Sequence, residues 1–111
     1  MIVYKILKEE EFLELENIGS IYGSQLDKTD GFIHLSTKDK LLETLEKHFC
    51  GEETLILMAI ETKKIISHLK WEKSRHNHVF PHLYSDLKFN DALWFAPIQF
   101  INGQHEIPSG F

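Results

Sequence analysis

Apolar positions change period several times in the first half of the chain, and each change marks an element. Residues 2–7 (Ile-Val-Tyr-Lys-Ile-Leu) predict a short strand. Glu9, Glu10 and Glu11 follow, and acids in a first helical turn complement the helix dipole. Phe12, Leu15 and Ile18 recur every three residues, giving one apolar helical face that Gly19 stops. Residues 20–30 carry Gly23, Ser24, Asp27 and Asp30 and read as loop. Residues 31–36 form a second strand. Thr37 then caps a helix with Asp39 in its first turn and a stripe of Leu41, Leu42, Leu45 and Phe49, ended by Gly51. Residues 54–60 are a continuous apolar run, as in a central strand buried on both faces.

Beyond residue 60 the segments shorten. Residues 63–67 suit one helical turn, 69–72 a strand and 73–78 a polar loop. Residues 79–84 are extended, but Pro81 assigns them to a sheet edge or an irregular strand. Residues 91–101 begin as a helical turn or strand and end extended after Pro97. The tail, residues 102–111, holds Gly103, Pro108 and Gly110 and reads as irregular. The order β-α-β-α-β, then short strands, predicts a single α+β domain over residues 1–111. Its two early helices pack on a split, mostly antiparallel sheet.

A chain of 111 residues supports one core. No apolar run approaches the roughly 18–20 residues that span a bilayer. The first residues lack the basic flank and long apolar stretch of a signal peptide. A cytoplasmic protein with no membrane partner is expected. The net charge is −5 and Arg75 is the one arginine, which argues against a general nucleic-acid surface, since that needs clustered cations. A small anionic ligand needs only one or two donors. A single cysteine, Cys50, excludes an intrachain disulfide. Beside Phe49 at a helix end it reads as a small packing residue rather than a nucleophile.

Two stretches carry candidate chemistry. Along residues 31–36, alternation puts Phe32, His34 and Ser36 on one strand face and Ile33 and Leu35 on the other. The second pair faces a core, and His34 and Ser36 line a surface or cleft. Imidazole donates, accepts, stacks and changes charge near neutrality; the plainer reading is a half-exposed histidine making a structural hydrogen bond. Residues 71–84 gather Trp71, Glu72, Arg75, His76, His78, Phe80, His82 and Tyr84. Arg75 offers a planar fork for phosphate or carboxylate, and the aromatics offer flat surfaces for a heterocycle, although Trp71 and Phe80 also suit a core. His76, His78 and His82 supply three imidazoles, yet no HExxH spacing occurs and no native metal site is expected. There is no GxSxG, GxGxxG or GxxxxGK[ST] sequence. Lys5 is the odd member of an apolar strand, and its simplest placement is at an edge with the stem packed and the amine in water.

Several motifs in order resemble a known family: Ile2-Val-Tyr-Lys-Ile, Gly19-x3-Gly23-Ser, Asp27-x2-Asp30-Gly-Phe-Ile-His-Leu-Ser-Thr, Trp71-Glu-x-Ser-Arg and Phe80-Pro-His-Leu-Tyr. They are similar, over about residues 2–100, to small, mostly bacterial proteins of unknown function. That family resembles compact relatives of the ADP-ribosyltransferase fold. Its Gly-Phe-Ile-His-Leu-Ser strand is similar to the histidine strand of RNA 2′-phosphotransferases. The resemblance implies a cleft for the nicotinamide ribose of NAD, with a polar residue from a first strand, a His or Tyr from a middle strand and a third-strand residue around it. These roles fall on Lys5, on His34 with Ser36 beside it, and on Glu72 or His82. The expected catalytic set is therefore His34, Glu72 and His82, and the expected ligand-binding set is Lys5, Ser36, Trp71, Arg75 and Tyr84. No tightly bound cofactor is expected; NAD enters as ligand or substrate. The extra N-terminal domain and basic surface of the RNA enzymes are not evident, so RNA is not the expected substrate. Rival readings are a non-catalytic nucleotide- or metabolite-binding module, a metal-dependent hydrolase using the clustered histidines, and a structural or partner-binding protein.

Overall fold

In the computed structural model, which describes residues 1–74 and 77–108, a four-stranded antiparallel sheet forms the centre. Its order is β1 (Ile2–Lys8), β4 (Leu55–Glu61), β8 (Ala92–Ile101) and β9 (Gln104–Glu106). β4 lies between β1 and β8 and explains the apolar run: its two faces supply two cores. Met58 and Ile60 join Val3 and Leu7 under α1 (Glu9–Ile18), while Leu55, Leu57 and Ala59 join Tyr4 and Ile6 under α3 (Leu41–His48). α1 inserts Leu15 fully and Phe12 partly, and Phe12 packs edge-on against Phe95 at 5.2 Å. Ile18, expected on the same face, is 71% exposed, and Leu42 of the α3 stripe is 50% exposed. The buried stripes are thus narrower than the apolar pattern implied.

A second, three-stranded sheet has the order β3 (Ile33–His34), β6 (Val79–Leu83) and β5 (Leu69–Lys73). β2 (Ser20–Ile21) and β7 (Leu87–Lys88) form a separate pair. The two larger sheets meet at one bridge, where Tyr4 and Ser36 exchange both backbone hydrogen bonds at 2.8 Å. This is an α+β domain with a curled, split, mostly antiparallel sheet.

Four expectations change. First, residues 20–30 are not all loop, because Gln25–Asp30 form a short helix, α2. Ser24 Oγ accepts from the Asp27 N–H at 3.2 Å, and the Asp27 carboxylate accepts from the Ser24 N–H at 2.9 Å. This reciprocal capping satisfies two backbone donors that a helix start leaves open. Second, β6 is the middle strand of its sheet despite Pro81. The Pro81 carbonyl accepts from the Leu35 N–H at 3.1 Å. A strand residue's nitrogen and carbonyl point to the same side, so the missing donor faces Leu35, one residue beyond the end of β3, and the ladder to β5 is untouched. Third, the tail is not irregular throughout. Asn102 and Gly103 take φ of 53° and 77°, the left-handed pair of a two-residue hairpin turn, and β9 returns along β8. Fourth, Cys50 is exposed rather than packed.

Candidate functional site

The site grows from Asp27, which is 2% exposed. Its Oδ2 accepts from Lys5 Nζ at 2.8 Å as well as from the Ser24 N–H, and its Oδ1 accepts from the His34 N–H at 3.0 Å. His34 Nδ1 lies 2.6 Å from the same Oδ1. One carboxylate therefore ties α2, β1 and β3 together. Burial alone would raise its pKa, but the hydrogen bonds from His34 and the Lys5 charge hold it well below the usual carboxylate range. Lys5 is itself 5% exposed, and its amine also donates to the His34 carbonyl at 3.2 Å. The expected amine in water is corrected: the Lys5 stem runs through the core and its charge is spent on Asp27.

His34 has a carboxylate at each ring nitrogen. Nδ1 faces Asp27, and Nε2 lies 3.0 Å from Oδ2 of Asp30, the last residue of α2. As an imidazolium, His34 donates to both. With one proton it keeps a single donor, and one carboxylate then meets a lone pair.

A second histidine stands beside it. β3 and β6 pair His34 with His82, and their ring centroids are 5.6 Å apart. His82 is 4% exposed. Its Nδ1 lies 2.9 Å from Glu72 Oε1, which also accepts from the Tyr84 hydroxyl at 2.6 Å. The bonds from Tyr84 and His82 lower the pKa of Glu72, and the carboxylate beside Tyr84 raises the pKa of its phenol. Glu72 thus stays an acceptor and Tyr84 a donor. Phe32 stacks on His82 at 4.1 Å and 21° and touches the His34 and Tyr84 rings. Phe32 was placed on the His34 face by alternation, and here it forms the shelf that fixes both imidazoles.

A cavity of about 300 Å³ is lined by residues of β1, α2, β3, α3 and β6. Lys5, Asp27, Asp30, His34, Ser36 and His82 line it, together with Thr44 and His48 of α3, two serines and apolar side chains. Residues far apart in sequence are thus brought to one place. Ser36 is buried, its backbone holds the bridge to Tyr4, and its hydroxyl donates to the Thr37 carbonyl at 3.1 Å. Glu72 and Tyr84 sit behind His82 and reach the cavity through it. Trp71 alternates to the other face of β5, opposite Pro81, and is 41% exposed. Arg75 lies outside the described residues, as does His76 of the three-histidine set. Among the described residues, no group of three His, Cys, Asp or Glu side chains could hold a metal ion, and no helix is long and apolar enough to cross a membrane. Asp27 and Asp30 escaped the sequence-derived site. The available signal was Ser24-x-x-Asp27, a capping box that also marks the missed helix.

A family model described as "Protein of unknown function (DUF952)" matches residues 6–95, a span that includes Asp27, His34, Glu72 and His82. The crystal structure of protein CC0527 from Caulobacter crescentus superposes with a TM-score of 0.90 at 36% identity, covering 96% of this chain and 94% of that one. The solution NMR structure of CC0527 gives a TM-score of 0.83 at 36% identity, covering 94% and 90%. No curated protein matches the chain. On the extent of the family match and the agreement along nearly the whole fold, the chain belongs to the DUF952 family of proteins of unknown function.

Proposed function

We propose that the cavity takes the nicotinamide-ribose end of NAD or of a related ADP-ribose compound, and that the chain transfers or hydrolyses its glycosidic bond. The observation that carries this reading is the pair of cavity-lining histidines on adjacent strands, each with Nδ1 against a carboxylate. Lys5 on β1, His34 on β3 and His82 on β6 reach the same space, which matches the three-strand arrangement implied by the resemblance. At about 300 Å³ the cavity suits part of a dinucleotide, at the lower end of ligand-pocket sizes. Its charge also fits: Asp27 is matched by Lys5, and Asp30 supplies a further carboxylate beside His34. Fixed carboxylates stabilise the positive charge that develops on the ribose as nicotinamide leaves. In this reading Lys5 positions Asp27.

Calorimetric titration with NAD, together with measurement of released nicotinamide, tests the proposal. Binding with slow nicotinamide release that His34→Ala abolishes is the expected result. No heat and no release at millimolar NAD would refute it. A second reading, a binding module without catalysis, draws on the full engagement of His34, both of whose nitrogens face carboxylates. It predicts binding with no release.

A further inference from the structure

The two histidines are not equivalent. Both nitrogens of His34 are taken by carboxylates, whereas His82 has one nitrogen on Glu72 and no described residue bonding the other. Glu72 is anchored by the Tyr84 hydroxyl and accepts from both partners. An acceptor-only carboxylate at Nδ1 requires a proton there, so neutral His82 carries its lone pair on Nε2. The ring cannot readily turn to exchange the two nitrogens, since Phe32 stacks flat on it and the residue is 4% exposed. His82 nonetheless lines the cavity. Of the two imidazoles paired across β3 and β6, His34 is doubly engaged, and a third, His48 of α3, lines the same cavity.

We infer that His82 is the general base for the acceptor, with Glu72 as its positioning residue, and that the acceptor is a neutral hydroxyl group, water included. This rests on the NAD reading of the cavity. The chemistry narrows the acceptor class, because a carboxylate acceptor has no proton to lose and gains nothing from a base, whereas a hydroxyl must shed one as it attacks. In the step, the C1′–N bond to nicotinamide breaks and its electron pair leaves with nicotinamide. The acceptor oxygen bonds to C1′, and its proton passes to His82 Nε2. Water gives ADP-ribose and an alcohol gives the O-alkyl glycoside of ADP-ribose.

The test compares two nucleophiles on the full chain with NAD: methanol, which must lose a proton, and azide, which has none. Wild-type protein should form methyl ADP-ribose. His82→Gln should still bind NAD and lose methanol transfer by roughly 10²–10⁴-fold, the usual worth of a general base. Glu72→Gln should fall by a smaller factor. Azide should restore turnover in both variants. An equal loss with azide and methanol would overturn the assignment, because His82 would then serve folding or the departure of nicotinamide. Nitrogen-15 spectra of the histidine rings give a reading that does not depend on NAD. His82 should show the Nδ1-protonated tautomer in wild type and lose that preference in Glu72→Gln; the Nε2-protonated tautomer in wild type overturns the inference. If wild-type protein neither binds nor cleaves NAD while the tautomer is as stated, the NAD reading fails, and the hydroxyl-acceptor inference falls with it.

Discussion

Asp27 concentrates four hydrogen bonds on one buried carboxylate, and Lys5 is buried only because that carboxylate is there. Asp27→Asn keeps the shape but turns an amide toward the Lys5 ammonium and leaves that charge uncompensated. We expect a loss of about 3–5 kcal/mol in denaturant unfolding, the usual cost of stranding one member of a buried pair. Lys5→Met should also destabilise, and the double variant should lose less than the two single losses summed, which a double-mutant cycle reads directly. The pH dependence has a definite sign. The folded-state pKa of Asp27 lies below its unfolded value of about 3.9, so its contribution is complete above that value. It declines as pH falls and the unfolded chain takes up the proton first. Acid titration of stability should show this slope below about pH 4 in wild type and a shallower one in Asp27→Asn. At this scale the face of His34 was legible, because alternation along a strand needs no partner: Ile33 and Leu35 are buried and His34 is half-buried. Asp27 was not legible as a site residue, since its role depends on Lys5, far away in sequence.

Elements show where local pattern succeeds and where it needs neighbours. β1, α1, α3 and β4 follow from period alone, for each buries an apolar face regardless of its partner. α2 was hidden because Gly, Ser and Asp serve turns and helix caps alike; only the Ser24–Asp27 spacing separates the two uses. The Asn102-Gly103 hairpin carried its own turn signal between short segments. Pro81 misled because its exclusion from central strands assumes two complete ladders, and β3 is too short to provide the second. The entry to α2 gives a sharp prediction. Gly23 has φ of 96°, and a Cβ there would collide with the Asp27 carboxylate, whereas Gly19 has φ of 97° with open space around it. Gly19→Ala should cost only the backbone strain of about 1–2 kcal/mol. Gly23→Ala should cost clearly more and shift the His34 ring resonances, because Asp27 must move. Equal costs in chemical unfolding would contradict this account of α2.

For the molecule as a whole, β4 is the strand on which both cores close, and its position between β1 and β8 hides its backbone from water. Its amides should exchange with solvent most slowly, and those of β9, an edge strand of three residues, among the fastest. Native-state hydrogen exchange measures this. The run at residues 54–60 announced the buried strand, but the single bridge between Tyr4 and Ser36 did not show in the sequence, for it joins strands separated by a helix pair. Both residues of that bridge line the cavity, so the site is a property of the assembled fold more than of any motif. Its occupant is tested most directly by titrating the chain, labelled with nitrogen-15 at histidine, with NAD. The account predicts saturable shifts at His34 and His82, which line the cavity, and none at His105, which is bound to the Glu52 carbonyl elsewhere. Unmoved His34 and His82 resonances at millimolar NAD would contradict it.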